Sequence, residues 1–365
     1  MVQNAADYGY MSRALQLARK GLYTTDPNPR VGCVIVKDDN VVAEGWHERA
    51  GEPHAEIHAL RVAGDKAVGA TVYVTLEPCC HHGKTPPCSE ALIKAQVARV
   101  VVAMQDPHSR VAGKGLQQLR DAGIDVEVGV LEVQARALNP GFIKRMQTGR
   151  PHVRNKLAMS LDGRTAMASG ESKWITSEAA REDVQRLRAR SSAIVTGVGT
   201  VLADDPSMTV RLEGLERQPL RVVVDTHLSM PLTARMLQQP GRTLVMTCSD
   251  DEAAREALEH AGAEVICLPF CSDTVDMQAV LDTLGEMEVN EVLVETGATL
   301  SGAMLQAGLI DELVIYMAPT LMGNGARGLF HLPGLDTMAQ KIDLEITDMR
   351  AVGKDWKITA RVTRT

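Results

Sequence analysis

Aromatic residues are scarce in this 365-residue chain: three Trp, five Tyr and three Phe, 3% of the sequence. So few rings leave little to build the stacking platforms that hold single-stranded nucleic acid. A formal net charge of −7 also denies the chain the basic stripe that follows phosphates. No run of about 18 apolar residues exists, which excludes a membrane-spanning helix. The first residues, MVQNAADYGYM, show neither a basic start nor an apolar stretch, so no secretory leader is expected and a cytoplasmic location is. Low-complexity segments and internal repeats are missing too. What remains is ordinary for a globular protein, 45% apolar and 23% charged, and the length suggests two domains.

The cysteines number seven, and in a reducing compartment an odd set speaks against disulfides. Four stand at positions 33, 79, 80 and 88, and five of the ten histidines lie between 47 and 82. The clustering suggests a metal site in the first quarter of the chain, although buried thiols explain the cysteines equally well before spacing is considered.

Charge is distributed unevenly. Residues 1–149 carry 17 Lys and Arg against 16 Asp and Glu, net +1, and residues 150–365 carry 22 against 30, net −8. Gln147-Thr148-Gly149-Arg150-Pro151 has turn chemistry, so one domain is expected over 1–149 and another over 150–365. In the first, Met11, Ala14, Leu15 and Ala18 share a face of a helix that Gly21 ends. Strands are expected at 31–37, 41–46, 71–76, 99–104 and 124–130, and helices near 54–64, 89–96 and 113–122. Continuous apolar strands between helices imply an α/β sheet covered on both faces. In the second domain strands are expected at 152–159, 193–198, 220–225, 243–248, 263–268, 291–295 and 312–318. Helices fit 177–190, 251–261, 276–285 and 299–307, and 341–362 alternates like an antiparallel pair. This is a second α/β sheet, of about seven or more strands and mixed direction.

Three pieces of the first domain belong together: His54-Ala55-Glu56, Pro78-Cys79 and Cys88. His54 and Glu56 would open a helix, Cys79 would end a strand, and Cys88, after Pro86-Pro87, would open the next helix. One imidazole and two thiolates leave the fourth tetrahedral position of a zinc ion open for water, as catalysis requires. Zinc brings the pKa of that water towards neutrality, and Glu56 can carry its proton. The pattern matches the zinc-deaminase signature H-x-E then P-C-x-x-C, except that eight residues, not two, separate the cysteines. Alternatives stay open at this level. His81 or His82 in the inserted loop would close the shell into a structural site, leaving Glu56 without a task. His58, four residues after His54, would chelate with it or simply pack in the helix. Cys80 points away from Cys79 in an extended chain, and Cys33 within VGCVIV reads as a core thiol.

Together with Pro27-Asn28-Pro29-Arg30-Val31-Gly32, Gly45-Trp46-His47 and the run from Thr75 to Cys88 (TLEPCCHHGKTPPC), these residues resemble the bacterial bifunctional riboflavin-biosynthesis deaminase/reductase family. Cys80 stands where that family usually has Ser. The resemblance spans nearly the whole chain, through Lys156 to Arg164 (KLAMSLDGR), Ser172 to Thr176 (SKWIT) and Gly197 to Arg211 (GVGTVLADDPSMTVR). It implies a cytidine-deaminase-like α/β/α first domain and a dihydrofolate-reductase-like α/β second domain. It further implies one Zn2+ per chain, NADPH, and a small phosphoribosyl pyrimidine substrate, with no nucleic-acid or membrane partner; a homo-oligomer is compatible with it. The implied substrate is 2,5-diamino-6-(5-phosphoribosylamino)pyrimidin-4-one, which loses its 2-amino group with Glu56 as proton carrier before its ribosyl group is reduced to ribityl. Asn28, His47, His81 and Lys84 would contact the substrate at the first site. The rival reading is a nucleoside or tRNA deaminase with a nucleotide-sensing C-terminal module; acidic charge, few rings and the long ligand loop speak against it.

The second half is less explicit. Gly197-Val198-Gly199 supplies the first two glycines of G-x-G-x-x-G, but Leu202 occupies the third position and Asp225 comes 28 residues after Gly197, a weak Rossmann signal. Gly297, after a strand and before a helix, suits a phosphate, and a plain turn explains it as well. The resemblance places Ala158, Trp174, Thr200, Asp204, Thr226 and the turn Gly297, Ala298, Thr299, Leu300, Ser301, Gly302 and Ala303 at NADPH. It places Lys156, Ser172, Arg188, Met208, Arg211 and Glu295 at substrate. A planar guanidinium suits Arg188 and Arg211 to phosphate oxygens, a solvated helix end being the alternative for Arg188. Met208 reads as packing, and no proton donor for the imine stands out.

Overall fold

The computed structural model describes residues 5–80, 86–109, 111–215, 217–271 and 274–363. The chain divides into two compact units, Met1–Gly149 and Arg150–Thr365. No helix among the described residues is long and apolar enough to cross a membrane.

In the first unit α1 (Ala5–Ala18) precedes β1 (Gly32–Lys37), β2 (Asn40–Trp46), α2 (Ala55–Ala63), β3 (Thr71–Val74), α3 (Cys88–Lys94), β4 (Arg99–Val102), α4 (Lys114–Asp121), β5 (Asp125–Val128), α5 (Glu132–Leu138) and α6 (Pro140–Thr148). The sheet order is β2-β1-β3-β4-β5. β1 runs antiparallel to both neighbours, and β3, β4 and β5 are parallel. Cys33, Val34 and Ile35 are all buried, so both faces of β1 are covered and Cys33 is a core thiol. Two glycines let helices lie against the sheet backbone. A Cβ on Gly32 would fall 2.0 Å from the Ala14 carbonyl oxygen, and one on Gly45 would fall 2.4 Å from that of Ala55. The second approach fixes the start of α2, where the HAE motif lies.

Two local expectations differ from the structure. β3 stops at Val74, so Cys79 lies in an irregular segment and not at a strand end; the apolar run continues to Leu76, but only four residues pair. Helices α5 and α6 were not expected. α5 starts after Leu131, whose φ of 57° makes a left-handed turn, and it has no side-chain cap. Its joint to α6 is held by Asn139, which accepts from the Arg30 N–H at 2.8 Å and donates to the Arg30 carbonyl at 3.0 Å, next to the Asn28 loop.

The second unit contains β6 (His152–Ser160), β7 (Arg164–Ala166), α7 (Glu178–Arg190), β8 (Ala193–Gly197), α8 (Val198–Asp204), β9 (Leu220–Val224), β10 (Thr243–Thr247), α9 (Glu252–His260) and β11 (Glu264–Cys267). There follow β12 (Phe270–Cys271), β13 (Thr274–Val275), α10 (Met277–Glu286), β14 (Glu291–Val294), α11 (Ala298–Gln306), β15 (Glu312–Ala318), β16 (Arg327–Gly328), β17 (Leu344–Val352) and β18 (Asp355–Val362). Nine strands form one sheet, ordered β11-β10-β9-β8-β14-β6-β15-β18-β17. The strands from β11 to β15 are parallel, and the mixed direction is confined to β18 and β17. Alternate residues serve opposite cores: Val292, Val294, Leu313 and Ile315 on one face, Leu293, Val314 and Tyr316 on the other. The Gly197 turn runs directly into α8, a short helix that the glycine pattern concealed.

Candidate active sites

In the first unit the long-range fold gathers the HAE and cysteine pieces. His54 is the N-cap of α2, Glu56 lies in its first turn, and Cys88 is the first residue of α3. The His54 Nδ1 lies 3.6 Å from Cys79 Sγ and 3.4 Å from Cys88 Sγ. A tetrahedral zinc with ordinary Zn–N and Zn–S bonds sets N and S about 3.6 Å apart, so the donor set fits zinc. All three ligand atoms lie within 4.8 Å of one another, and theirs is the group of this kind found among the described residues. The Cys88 N–H points at Cys79 Sγ at 3.3 Å, and Ser89 donates through both its N–H (3.1 Å) and Oγ (3.0 Å) to the Cys79 carbonyl. Hydrogen bonding from Cys88 holds the Cys79 thiol down at about 4 against its burial, while Cys88 is pushed up by the same contact and by burial.

Glu56 is 3% exposed, and burial, with the Cys79 charge adding to it, pushes its carboxyl up to about 7, although His54 and a hydrogen bond with Cys88 oppose this. His58 and Cys80 stand outside the ligand group, and His58 Nε2 is buried without a hydrogen-bond partner. Beside the ligands, the Asn28 side-chain amide lies 3.1 Å from His47 Nε2, and His47 Nδ1 lies 3.1 Å from the Pro53 carbonyl. Burial lowers the His47 pKa, so the ring is neutral: Nδ1–H donates to Pro53, and Nε2 accepts from Asn28. The His47 ring meets that of His54 edge-on at 5.3 Å. His81, His82 and Lys84 lie outside the described residues.

In the second unit the expected contacts collect at one end of the sheet. Ala158 lies on β6, Glu295 follows β14, Thr200 and Asp204 lie on α8 after β8, and Thr226 follows β9. These are the C-terminal ends of four neighbouring parallel strands, where open α/β sheets bind ligands. Gly297 caps α11 with no side-chain cap, and a Cβ on Gly297 or Gly199 would meet nothing within 4 Å. The first turn of α11, Ala298 to Leu300, thus offers bare N–H groups beside open space, which fits a cofactor phosphate, while the Ser301 N–H already donates to the Gly297 carbonyl at 3.2 Å. Gly302 instead serves packing, since a Cβ there would lie 2.0 Å from the His331 carbonyl oxygen; Ser301 is buried against Asn155, and Ala303 is exposed.

The expected phosphate role of Arg188 meets a difference. Its guanidinium already grips Glu295, Nε to Oε1 at 2.6 Å and Nη2 to Oε2 at 2.9 Å, and Nη1 donates to the Thr209 carbonyl. Burial alone would raise Glu295; Arg188 and Lys156 outweigh it and hold the carboxyl below its usual range. Burial lowers the Lys156 pKa, with Glu295 opposing. Arg211 is exposed, and Met208 is buried in the core. Asp204 pairs with Lys173 at 3.0 Å, and Trp174 is 71% exposed with Arg181 4.6 Å over its ring. Ser172 lies in the same loop. Asp225 is fully buried and turned onto its own loop, accepting from Ser229 Oγ and the Met230 N–H, so it is not a Rossmann ribose ligand.

Sequence reasoning passed over Glu77 and Ser89, which hold the Cys79 segment. Glu77 was visible in the TLEPC motif, but its partners lie some thirty residues on.

Residues 5–104 match the family model described as the cytidine and deoxycytidylate deaminase zinc-binding region, and residues 151–358 match the RibD C-terminal domain. The chain is 53% identical over 361 residues to the riboflavin biosynthesis protein RibD of Escherichia coli (strain K12), covering 96% of this chain and 97% of that protein. It is 45% identical over 354 residues to RibD of Bacillus amyloliquefaciens, with 96% and 95% covered. Among solved structures, Acinetobacter baumannii RibD has a TM-score of 0.92 at 49% identity, over 98% of this chain and 99% of that one. A diaminohydroxyphosphoribosylaminopyrimidine deaminase/5-amino-6-(5-phosphoribosylamino)uracil reductase from Thermotoga maritima has a TM-score of 0.87 at 34% identity, over 98% and 99%.

Proposed function

The chain belongs to the RibD family, bifunctional riboflavin-biosynthesis enzymes that join a zinc-dependent deaminase to an NADPH-dependent reductase, and from that premise we propose how its residues divide the work. Residues 1–149 form the deaminase and residues 150–365 the reductase. The substrate is 2,5-diamino-6-(5-phosphoribosylamino)pyrimidin-4-one, and the product of both steps is 5-amino-6-(5-phosphoribitylamino)uracil. The enzyme works in the cytoplasm, where thiolate ligands stay reduced.

In the deaminase His54, Cys79 and Cys88 hold the zinc ion, which supplies Lewis-acid activation of water. Glu56 takes a proton from that water, delivers it to the pyrimidine ring nitrogen, and carries the next to the departing amine. Buried in the first turn of α2, two residues from the ligand His54, Glu56 is placed for both transfers. The neutral His47 fixes the Asn28 amide by taking its N–H, which turns the Asn28 oxygen towards a substrate donor. His81 and Lys84 take the ribosyl phosphate.

In the reductase bound NADPH supplies the hydride. The ends of β6, β8, β9 and β14 hold the cofactor, with Ala158, Trp174, Thr200, Asp204, Thr226 and residues 297–303 around it. Arg188 acts by holding Glu295 in place, and Glu295, Lys156 and Ser172 bind the opened ribosylamine. Arg211, exposed, takes the phosphate.

The meeting of His54, Cys79 and Cys88 beside a buried Glu56 carries this reading. Mass spectrometry of the products tests it. Without NADPH the substrate should gain about one mass unit, amine replaced by oxygen, and with NADPH about two more, one hydride and one proton. A two-unit gain without deamination would reverse the proposed order.

A further inference from the structure

Lys173 stands between Ser172 and Trp174, on the loop that joins β7 to α7, and it reaches across to α8. α8 ends on Asp204, and Thr200 lies four residues earlier on the same face. A carboxylate at the C-terminal end of a helix adds to the partial negative charge of the last carbonyls. Lys173 answers both: its Nζ lies 3.0 Å from Asp204 Oδ1 and donates to the Asp204 carbonyl at 3.3 Å. The other end of the loop is fixed to α7. Arg181 lies 4.6 Å over the Trp174 ring, and its Nη1 donates to the Thr176 carbonyl at 2.9 Å. Ser177, the N-cap of α7, is held in turn by Asp355 of β18, which accepts from its N–H at 2.7 Å and its Oγ at 2.6 Å. The loop thus leans on α7 through Trp174 and Thr176, and it meets α8 through Lys173. The Lys173 and Asp204 side chains are 49% and 36% exposed, and an exposed ion pair adds little to folding stability. What it does fix is where the loop lies.

We propose that Lys173 is a positioning residue of the reductase, a clamp that sets the loop bearing Ser172 and Trp174 against the helix bearing Thr200 and Asp204 and so couples substrate binding to NADPH binding. The inference rests on the division of contacts given above, with Ser172 at substrate and Trp174, Thr200 and Asp204 at the cofactor. Two of these groups lie on the loop and two on α8, so neither element completes a site alone. Anything that fixes Asp204 fixes the ammonium paired with it, and with that ammonium the adjoining Ser172. The reverse holds as well: a loop held at Ser172 keeps Lys173 on Asp204. Each ligand therefore meets an element that the other has already set. Linkage then requires each to tighten the other by the same factor. A methionine at 173 keeps the length of the stem and removes the charge, whereas an arginine keeps both donor and charge.

Fluorescence titration of the full chain with NADPH tests the clamp, once alone and once with saturating 5-amino-6-(5-phosphoribitylamino)uracil, a pair that does not turn over. In the wild type the product should lower the NADPH dissociation constant about fivefold or more. In Lys173→Met that ratio should fall below about twofold, while NADPH alone binds within about threefold of wild type. Lys173→Arg should keep the wild-type ratio. A side chain that merely supported the fold would shift both NADPH affinities together and leave their ratio intact, so the ratio separates coupling from damage. A wild type that binds NADPH with the same affinity in both titrations overturns the clamp. So does a Lys173→Met variant that keeps the ratio, or a Lys173→Arg variant that loses it. A wild type that binds no NADPH at all overturns the reductase reading, and the clamp with it.

Discussion

Replacing Glu77 by Gln should weaken the deaminase unit without touching its chemistry. The Glu77 carboxylate is buried and accepts four backbone N–H groups: Asp106 at 3.1 Å, Gly113 at 2.9 Å, Gly115 at 2.9 Å and Leu116 at 3.4 Å. α4 has no side-chain cap of its own on Gly113, so a residue 36 positions earlier does that work. α4 also rests on the ligand segment, since a Cβ on Gly115 would fall 2.1 Å from the Pro78 carbonyl oxygen. Glutamine keeps one oxygen and turns an NH2 towards the other two donors. Two buried N–H groups then lose their acceptor, at about 1–3 kcal/mol each, and charge assistance is lost at the remaining bonds. A loss of roughly 3–5 kcal/mol is large against the 5–15 kcal/mol of a typical domain. Scanning calorimetry of the zinc-loaded chain should show the deaminase transition lowered by about 10 °C or more, with zinc lost more readily to a chelator. NADPH oxidation on the deaminated substrate should stay at the wild-type rate. A transition within about 2 °C of wild type would refute the reasoning, because it would mean that water or a shifted loop satisfies the orphaned donors.

Glu56→Gln should keep one zinc per chain by elemental analysis and slow ammonia release by about a hundredfold or more, whereas Cys88→Ser should lose metal; the reverse outcome would undo the ligand assignment. Asp204→Ala removes the partner of Lys173 at the end of α8. It should cripple NADPH oxidation while ammonia release stays within about tenfold, which is 1.4 kcal/mol of transition-state stabilisation. Burial holds the His152 imidazole below the usual histidine pKa, and its Nδ1 has no hydrogen-bond partner. The unfolded chain therefore takes up this proton first, and this residue's contribution to stability is lost as pH falls below about 6.5. Denaturant titrations at pH 7.5 and 5.5 should show a smaller pH loss for His152→Gln than for wild type; equal losses would rule this residue out as a source.

What the sequence revealed follows from how far each interaction reaches along it. Strands β4, β8, β10 and β14 were legible because sheets covered on both faces need unbroken apolar runs. The zinc ligands were legible because His54 and Glu56 share one turn and Cys79 and Cys88 flank one loop. Helix α5 was not, because it opens on the left-handed Leu131 and not on a capping side chain. The grip of Arg188 on Glu295 joins residues 107 positions apart, and nothing local announces that a guanidinium suited to phosphate is already engaged by a carboxylate. Asp225 fails as a cofactor ligand for a reason equally invisible in its spacing: its carboxylate faces its own turn.

The place of β6 in its sheet bears on how the chain must be made. It is the first strand of the second unit to be translated, yet it lies between β14 and β15. Neither neighbour exists until synthesis passes residues 291–294 and 312–318. The deaminase unit precedes it as one uninterrupted stretch and can complete its own sheet before β6 has any partner. At about 5–20 residues per second, β6 then stays unpaired for on the order of ten seconds. Translation arrested anywhere between β6 and β14 therefore yields a finished deaminase trailing an open, adhesive strand. Nascent chains of that length are where holding chaperones should be found, and the late central pairing makes the reductase the slower unit to fold.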